Sequence, residues 1–102
     1  MAGMDKRWSE EQIRSALLGL EGWRYDGGRI ERVFEFSTYT DGVAFATRVF
    51  LLSEKQGHYP DAVCVLWKKV DVAYSTRGVG GVTERDVKAA TMINLLYRRF
   101  GD

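Results

Sequence analysis

The spacing of apolar residues switches repeatedly between a helical and a strand period, and this order of segments restricts the fold more than any other sequence feature. A capping box at Ser9 and Gln12 predicts the start of a first helix. The segment "GWRYDGGRIERVFEFS" then alternates as two strands of a hairpin do. Its tight turn needs positive φ angles, which either Asp26-Gly27 or Gly27-Gly28 could supply.

The second half of the chain repeats this pattern. "DGVAFATRVFLLSEKQG" predicts a helix from about Asp41 to a stop at Gly57, with more apolar residues than one sheet face requires. "AVCVLW" is apolar at every position, which predicts a strand covered on both sides, and "KVDVAYST" alternates cleanly. Thr83 caps a third helix. The residues that this helix is expected to bury are Ala89, Met92, Ile93, Leu96 and Phe100.

The segment order α-β-β-α-β-β-α predicts an α+β fold. We expect a four-stranded, mainly antiparallel sheet with three helices on one face. At 102 residues the chain is expected to form one domain spanning residues 1–102. The two edges of such a sheet would favour dimerisation.

Composition and charge exclude several classes of function. A formal net charge of +1 gives no electrostatic basis for binding nucleic acid or acidic membranes. No apolar run approaches the length of a membrane span, and the N-terminal residues do not resemble a signal peptide. Cys64 is the only cysteine, so we expect a reducing, cytoplasmic location and a small buried side chain in a strand.

The residues able to carry chemistry cluster around "GHYPD", which holds the only histidine and the only proline. His58 follows the second helix, Glu54 lies one turn before it, Arg77 follows the last strand, and Asp86 lies in the first turn of the third helix. His58 suits acid–base catalysis, but it could equally be a solvated turn residue. Asp86 could simply complete a capping box with Thr83.

Other types of site fit the sequence poorly. The Arg77 guanidinium can clamp an anion but stays protonated, so it cannot exchange a proton. One histidine and one cysteine cannot make a credible zinc site without improbable help from carboxylates. "GVGG" lacks the lysine and hydroxyl residue of a phosphate loop.

Four segments together resemble the pterin-4a-carbinolamine dehydratase family: "TRVFLLSEK", "GHYPD", "KKVDVAYSTR" and "GGVTERDVKAA". The resemblance runs from about Trp8 to Tyr97. It implies the family's fold, dimers formed by joining sheets, and sometimes tetramers formed through helices. It also implies dehydration of 4a-hydroxytetrahydropterin without metal or organic cofactor, in a pocket of three histidines and supporting carboxylates.

The resemblance assigns some pocket positions to matching residues. His58 matches the first of two adjacent histidines, and Pro60 matches the proline that follows them. Glu54 and Asp86 match carboxylates of that pocket.

Other positions depart from the family pattern. Tyr59 stands where the second histidine belongs, and Arg77 stands where the third belongs. Gly57 replaces an acidic residue that commonly precedes the histidine pair. Neither a phenol nor a guanidinium replaces imidazole at neutral pH, so the resemblance implies a vestigial pocket with no catalytic residues.

This degeneration is similar to that of a separate branch of the superfamily, the dehydratase-like RuBisCO assembly factors encoded with α-carboxysome genes. The branch implies a chaperone-like protein whose partner is the RuBisCO large subunit, and whose location is carboxysome-associated. The alternative is an active 4a-hydroxytetrahydrobiopterin dehydratase with His58 as its acid–base residue and Glu54 or Asp86 assisting.

Overall fold

A four-stranded antiparallel sheet with three helices forms the protein, whose structure, a computed structural model, describes residues 6–101. The helices are α1 (Glu10–Leu17), α2 (Tyr39–Gln56) and α3 (Glu84–Gly101). The strands are β1 (Arg24–Asp26), β2 (Arg29–Glu35), β3 (Ala62–Val65) and β4 (Lys69–Tyr74), and a 3₁₀ turn covers Arg77–Val79. The sheet order is β1-β2-β4-β3. The predicted fold class and element order are confirmed.

Local sequence signals set most of the element boundaries. Ser9 and Gln12 form the predicted capping box. The β1–β2 turn is Gly27-Gly28, with φ angles of 62° and 84°. Of the two turns that the sequence allowed, Asp26-Gly27 and Gly27-Gly28, the structure therefore has the latter. Helix α2 begins at Tyr39 rather than near Asp41, because the Thr38 side chain accepts a hydrogen bond from the Asp41 backbone N–H.

The core lies between one face of the sheet and the helices. Val70, Val72 and Tyr74 alternate along β4 and are completely buried on this face. Ile30 and Phe34 do the same on β2. The helices contribute further buried residues, namely Ile13, Phe45, Ala46, Val49, Ala89, Ala90 and Ile93.

A buried polar link attaches α3 to the first hairpin. Asn94 Oδ1 accepts hydrogen bonds from Trp23 Nε1 and from Arg32 Nη1, both at 2.8 Å. The Arg32 guanidinium also lies over the ring of Phe34, 4.5 Å from its centroid. These contacts fix α3 against the sheet. Because α3 is one continuous helix, they also fix the position of its first turn.

Two expectations about burial are wrong. Cys64 is exposed because β3 is an edge strand that pairs only with β4, and no second layer covers it within residues 6–101. Met92 is 42% exposed because it lies beside a groove between α2 and α3 rather than against the sheet. None of the helices formed by these residues has the length and apolar character needed to span a bilayer.

Candidate functional site

Three elements meet at the corner of the sheet that holds His58. Helix α2 ends at Gly57, whose φ of 68° is the left-handed conformation that glycine adopts without strain. The next backbone N–H, that of His58, donates to Ser53 O at 3.2 Å. This turn directs the chain over the end of β4 and toward the first turn of α3.

The imidazole of His58 is bound to a buried carboxylate. His58 Nε2 lies 2.6 Å from Asp86 Oδ1, and the two side chains are 13% and 0% exposed. Because a carboxylate only accepts hydrogen bonds, Nε2 carries the hydrogen of this bond. Nδ1 is then the ring nitrogen left to exchange a proton with a ligand.

Asp86 also organises the start of α3. Its Oδ2 accepts hydrogen bonds from Thr76 Oγ1 and from the Thr83 backbone N–H, both at 2.8 Å. Since Thr76 donates its one hydroxyl hydrogen to Asp86, Thr83 Oγ1 donates across the 2.8 Å that separate the two threonine hydroxyls. Thr83 Oγ1 accepts in turn from the Arg85 N–H. The carboxylate therefore joins the chain after β4, the cap of α3 and His58.

Tyr74 lies beside the His58 ring, with a centroid separation of 5.5 Å. Its hydroxyl is 2.8 Å from Ser53 Oγ, which donates its own hydrogen to Val49 O. Burial raises the pKa of Tyr74. The phenol therefore stays protonated and links β4 to α2, as a structural support for the histidine.

Tyr59 is paired with a carboxylate of its own. Its hydroxyl donates to Glu54 Oε1 at 3.0 Å, and about half of the residue is exposed. The hydrogen bond to Glu54, together with the negative charge of that group, raises the pKa of Tyr59 above its ordinary value of 10.0. Tyr59 is therefore even less able to release a proton at neutral pH than an isolated tyrosine.

Arg77 binds back to the segment that carries His58. Its Nε lies 3.5 Å from Asp61 Oδ1, and its Nη2 donates to Pro60 O at 3.4 Å. Asp61 is held in place because its Oδ2 accepts a hydrogen bond of 2.5 Å from Ser75 Oγ. These contacts form a clasp between the end of β4 and the "GHYPD" turn.

A small cavity of about 200 Å³ borders His58, and it is lined by Gln56, His58, Arg85 and Lys88. Small-molecule sites usually enclose roughly 300–1,000 Å³. The residues described contain no group of three or more His, Cys, Asp and Glu side chains able to hold a metal ion.

The structure brings the expected residues to one corner but pairs them differently from the sequence expectation. Asp86 contacts His58, whereas the hydrogen-bond partner of Glu54 is Tyr59. The roles of Thr76 and Asp61 were not foreseen. Asp61 carried a usable signal, because it follows the proline directly and is a natural partner for a nearby guanidinium.

Comparison with known proteins places this chain in a family. Residues 6–96 match the family model of pterin 4 alpha carbinolamine dehydratase. The chain belongs to the pterin-4a-carbinolamine dehydratase family. A protein of Nitrobacter hamburgensis named "Putative pterin-4-alpha-carbinolamine dehydratase" is 40% identical over 96% of this chain and 98% of its own. A protein of Afipia carboxidovorans with the same name is 43% identical over 91% of this chain and 94% of its own.

Solved structures share the dehydratase fold. The transcriptional coactivator/pterin dehydratase of Brucella melitensis superposes with a TM-score of 0.84 and 33% identity, covering 90% of this chain and 99% of its own. A pterin dehydratase-like protein identified as a RuBisCO assembly factor in the alpha-carboxysome gives a TM-score of 0.66, covering 76% of this chain and 90% of its own. At 22% identity, this similarity shows a shared fold alone.

The hydrogen bonds of Asp86 predict a large stability cost for its removal. Asp86→Ala leaves Thr76, Thr83 and His58 without their acceptor, and each buried polar group that loses its partner costs about 1–3 kcal/mol. We expect the free energy of unfolding, measured by urea denaturation, to fall by at least about 2 kcal/mol. Glu10→Ala is the control, because it removes only an exposed helix pair with Arg14 and should change stability by about 0–1 kcal/mol. Equal effects of the two substitutions would contradict this role for Asp86.

Proposed function

We propose that this chain is a non-catalytic member of the pterin-4a-carbinolamine dehydratase family that acts as a dimeric RuBisCO assembly factor associated with α-carboxysomes. The observation that carries the non-catalytic part is the pairing of Tyr59 and Arg77 with carboxylates of this chain. These are two of the three positions at which the family pattern has histidines, and His58 stands at the third.

The chemistry of dehydration supports this proposal. One group must protonate the leaving hydroxyl, and another must take the proton from the ring nitrogen of the pterin. Of the three pocket positions, only position 58 carries an imidazole, the side-chain type best suited to acid–base work at neutral pH. Loss of one general acid–base group typically lowers the rate by about 10²–10⁴-fold, and this pocket lacks two.

The clasp of Arg77 adds a second argument. Where the family has an imidazole, this chain has a longer cationic side chain that crosses to Asp61 and the backbone of Pro60. Arg77 and the phenol of Tyr59 therefore bind within the chain at two positions where the family pattern has an imidazole for its substrate.

Assignment to RuBisCO assembly draws its support from the family and from the exposed apolar surface. The assembly factor of the alpha-carboxysome shares the fold. Here a chaperone-like role would suit the many large apolar side chains that solvent reaches, including Phe50 at 53%, Leu51 at 65% and Trp67 at 74% exposure.

Dimerisation through the edge of the sheet is part of the proposal. Strand β3 is an edge strand, and Val65, Leu66 and Trp67 at its end are all exposed. An uncovered apolar edge strand is a ready template for pairing with another strand. Pairing with β3 of a second copy would cover this edge and Cys64.

An active dehydratase is the second candidate, and the bond between His58 and Asp86 favours it. A buried carboxylate at 2.6 Å fixes the orientation and the tautomer of the imidazole, as an acid–base residue requires. Relatives 40% and 43% identical to this chain carry dehydratase names. This candidate requires that His58 is the only histidine that takes part in turnover, and that Glu54 or Asp86 assists it.

A turnover assay separates the two candidates. The 4a-hydroxypterin is generated with an aromatic amino-acid hydroxylase, and its dehydration is followed by absorbance with and without the purified protein. We expect no acceleration by the natural sequence. We expect a gain of at least about 100-fold over that baseline in Tyr59→His/Arg77→His, which supplies the two missing imidazoles.

Adding His58→Ala to the double variant is the control, because it should abolish the gained activity. Acceleration by the natural sequence that disappears in His58→Ala alone would overturn the non-catalytic proposal. A double variant that stays inactive while remaining folded would show that the two substitutions are not what prevents turnover.

Co-expression tests the assembly role. RuBisCO subunits are produced with and without this protein, and the yield of soluble, assembled RuBisCO is measured by native gel and activity. We expect a higher yield, co-purification of the large subunit, and a dimer mass for the protein by light scattering. Tyr59→His/Arg77→His should retain the effect on yield if catalysis plays no part in it. An unchanged yield without co-purification would contradict the assembly role and leave the non-catalytic proposal to the turnover assay.

A further inference from the structure

Two carboxyl side chains are neighbours on the outer face of the sheet, opposite the core. Glu31 lies on β2 and Asp71 lies on β4, and both alternate with residues that point into the core. In the register of the two strands Glu31 stands opposite Ala73, and Asp71 stands opposite Val33. Glu31 and Asp71 are therefore diagonal neighbours, which lie about 7–8 Å apart on one face and within reach of a long side chain.

This carboxyl pair is shielded from water although it lies on the outer face. Glu31 is only 9% exposed. Asp71 Oδ1 is buried, and no N–H or hydroxyl group within residues 6–101 donates a hydrogen bond to it. A buried carboxylate oxygen without a donor is costly, because burial removes the water that would otherwise donate to it. Asp71 therefore needs a donor from a side chain beside it.

Glu31 can supply that donor when it is protonated. The side chains of Glu31 and Asp71 are hydrogen-bonded to each other. Because an ionised carboxylate only accepts hydrogen bonds, this bond exists only while one of the two groups carries a proton. Two carboxyl groups in such contact titrate as a pair and release their protons in separate steps.

Other charged and titratable groups surround the carboxyl pair on this face. They are Arg24 on β1, Arg29 on β2, Cys64 on β3 and Lys69 on β4. The Nη2 atoms of both arginines lie 3.9 Å from Glu31 Oε1, which leaves Oε2 for the hydrogen bond to Asp71. That hydrogen bond, burial and the negative charge of Asp71 raise the pKa of Glu31, and they outweigh the two arginines, which lower it.

We propose that Glu31 and Asp71 share one proton in the folded protein and form a pH-sensitive device that links protonation to the pairing of β2 with β4. While the proton is present, its hydrogen bond joins the two central strands across the outer face of the sheet. Loss of the proton leaves two negative charges in contact where little water screens them, so they repel each other. No residue of the His58 corner takes part, and the proposal is therefore independent of the proposed function.

The direction of the pH effect follows from the raised pKa of Glu31. Below the ordinary pKa of 4.5 the group is protonated in the folded and in the unfolded state, so the shared proton contributes its full stability. As the pH rises from there through the raised pKa, the unfolded chain releases its proton first. The folded protein therefore loses stability with rising pH over this interval, with a slope of about one proton per chain.

Urea denaturation over a series from about pH 4 to pH 8 tests the proposal with Glu31→Gln in the full chain. The glutamine amide donates to Asp71 at every pH, so it replaces the shared proton by a permanent hydrogen. We expect the folding equilibrium constant of Glu31→Gln to rise relative to that of the natural protein, by about tenfold for each pH unit by which the pKa of Glu31 is raised. Glu35→Gln is the matched control, because Glu35 lies on the same face of β2 but is exposed and stands opposite Lys69. Its ratio to the natural protein should not change with pH.

Infrared spectroscopy of the natural protein gives a second readout that does not depend on the stability of a variant. At about pH 5.5 ordinary carboxyl groups are ionised, so we expect the C=O band of one protonated carboxyl, which Glu31→Gln and Asp71→Asn should each remove. Absence of this band, or a constant stability ratio between Glu31→Gln and the natural protein at every pH, would overturn the proposal. Stabilisation by added Ca²⁺ that Glu31→Gln removes, without the protonated-carboxyl band, would instead assign the pair to a cation.

Discussion

One buried carboxylate determines the geometry of the site. Asp86 accepts hydrogen bonds from His58, Thr76 and the Thr83 backbone N–H while its side chain is completely shielded from solvent. A buried charge is tolerated only when its oxygen atoms are satisfied in this way. The end of β4, the start of α3 and the turn after α2 are consequently fixed relative to one another. The hydrogen bond from His58 Nε2 satisfies Asp86 Oδ1 and holds the imidazole in its position.

A carboxylate that orients an imidazole does not by itself make an acid–base site. In an acid–base site, further groups that exchange protons would surround a ligand beside His58. Here Tyr59 and Arg77 are instead paired with Glu54 and Asp61 of the same chain. Those pairs join the end of α2, the "GHYPD" turn and the end of β4 to one another.

The parts of the fold that depend on neighbouring residues in sequence were predictable. The Ser9 capping box, the Gly27-Gly28 turn and the stop at Gly57 each follow from the local conformation that those residues favour. The burial of Cys64 and Met92 was predicted wrongly, because it depends on what lies opposite each side chain. An apolar residue in an edge strand, or on a helix beside a groove, has the same sequence pattern as a buried residue.

The candidate site was only partly predictable for a similar reason. The residues that meet at the corner could be named, since the element order brings the end of α2 to the start of α3. Their partners could not be named, because Arg77 and Asp61 are 16 positions apart and their contact depends on the path of the chain after β4. The proposal of a non-catalytic role started from Tyr59 and Arg77 as departures from the family pattern, and the structure adds that each pairs with a carboxylate of this chain.

Direct measurement of pterin binding tests the central claim most sharply, because it does not depend on turnover. Isothermal titration of the natural protein with a dihydropterin should give no detectable binding at millimolar ligand. Arg77→Ala, which removes the clasp to Asp61 and Pro60, should leave the fold intact and serves to show whether the clasp itself closes the corner. Tight binding of a dihydropterin to the natural protein, lost in His58→Ala, would contradict the proposal that this corner is structural and does not serve a pterin.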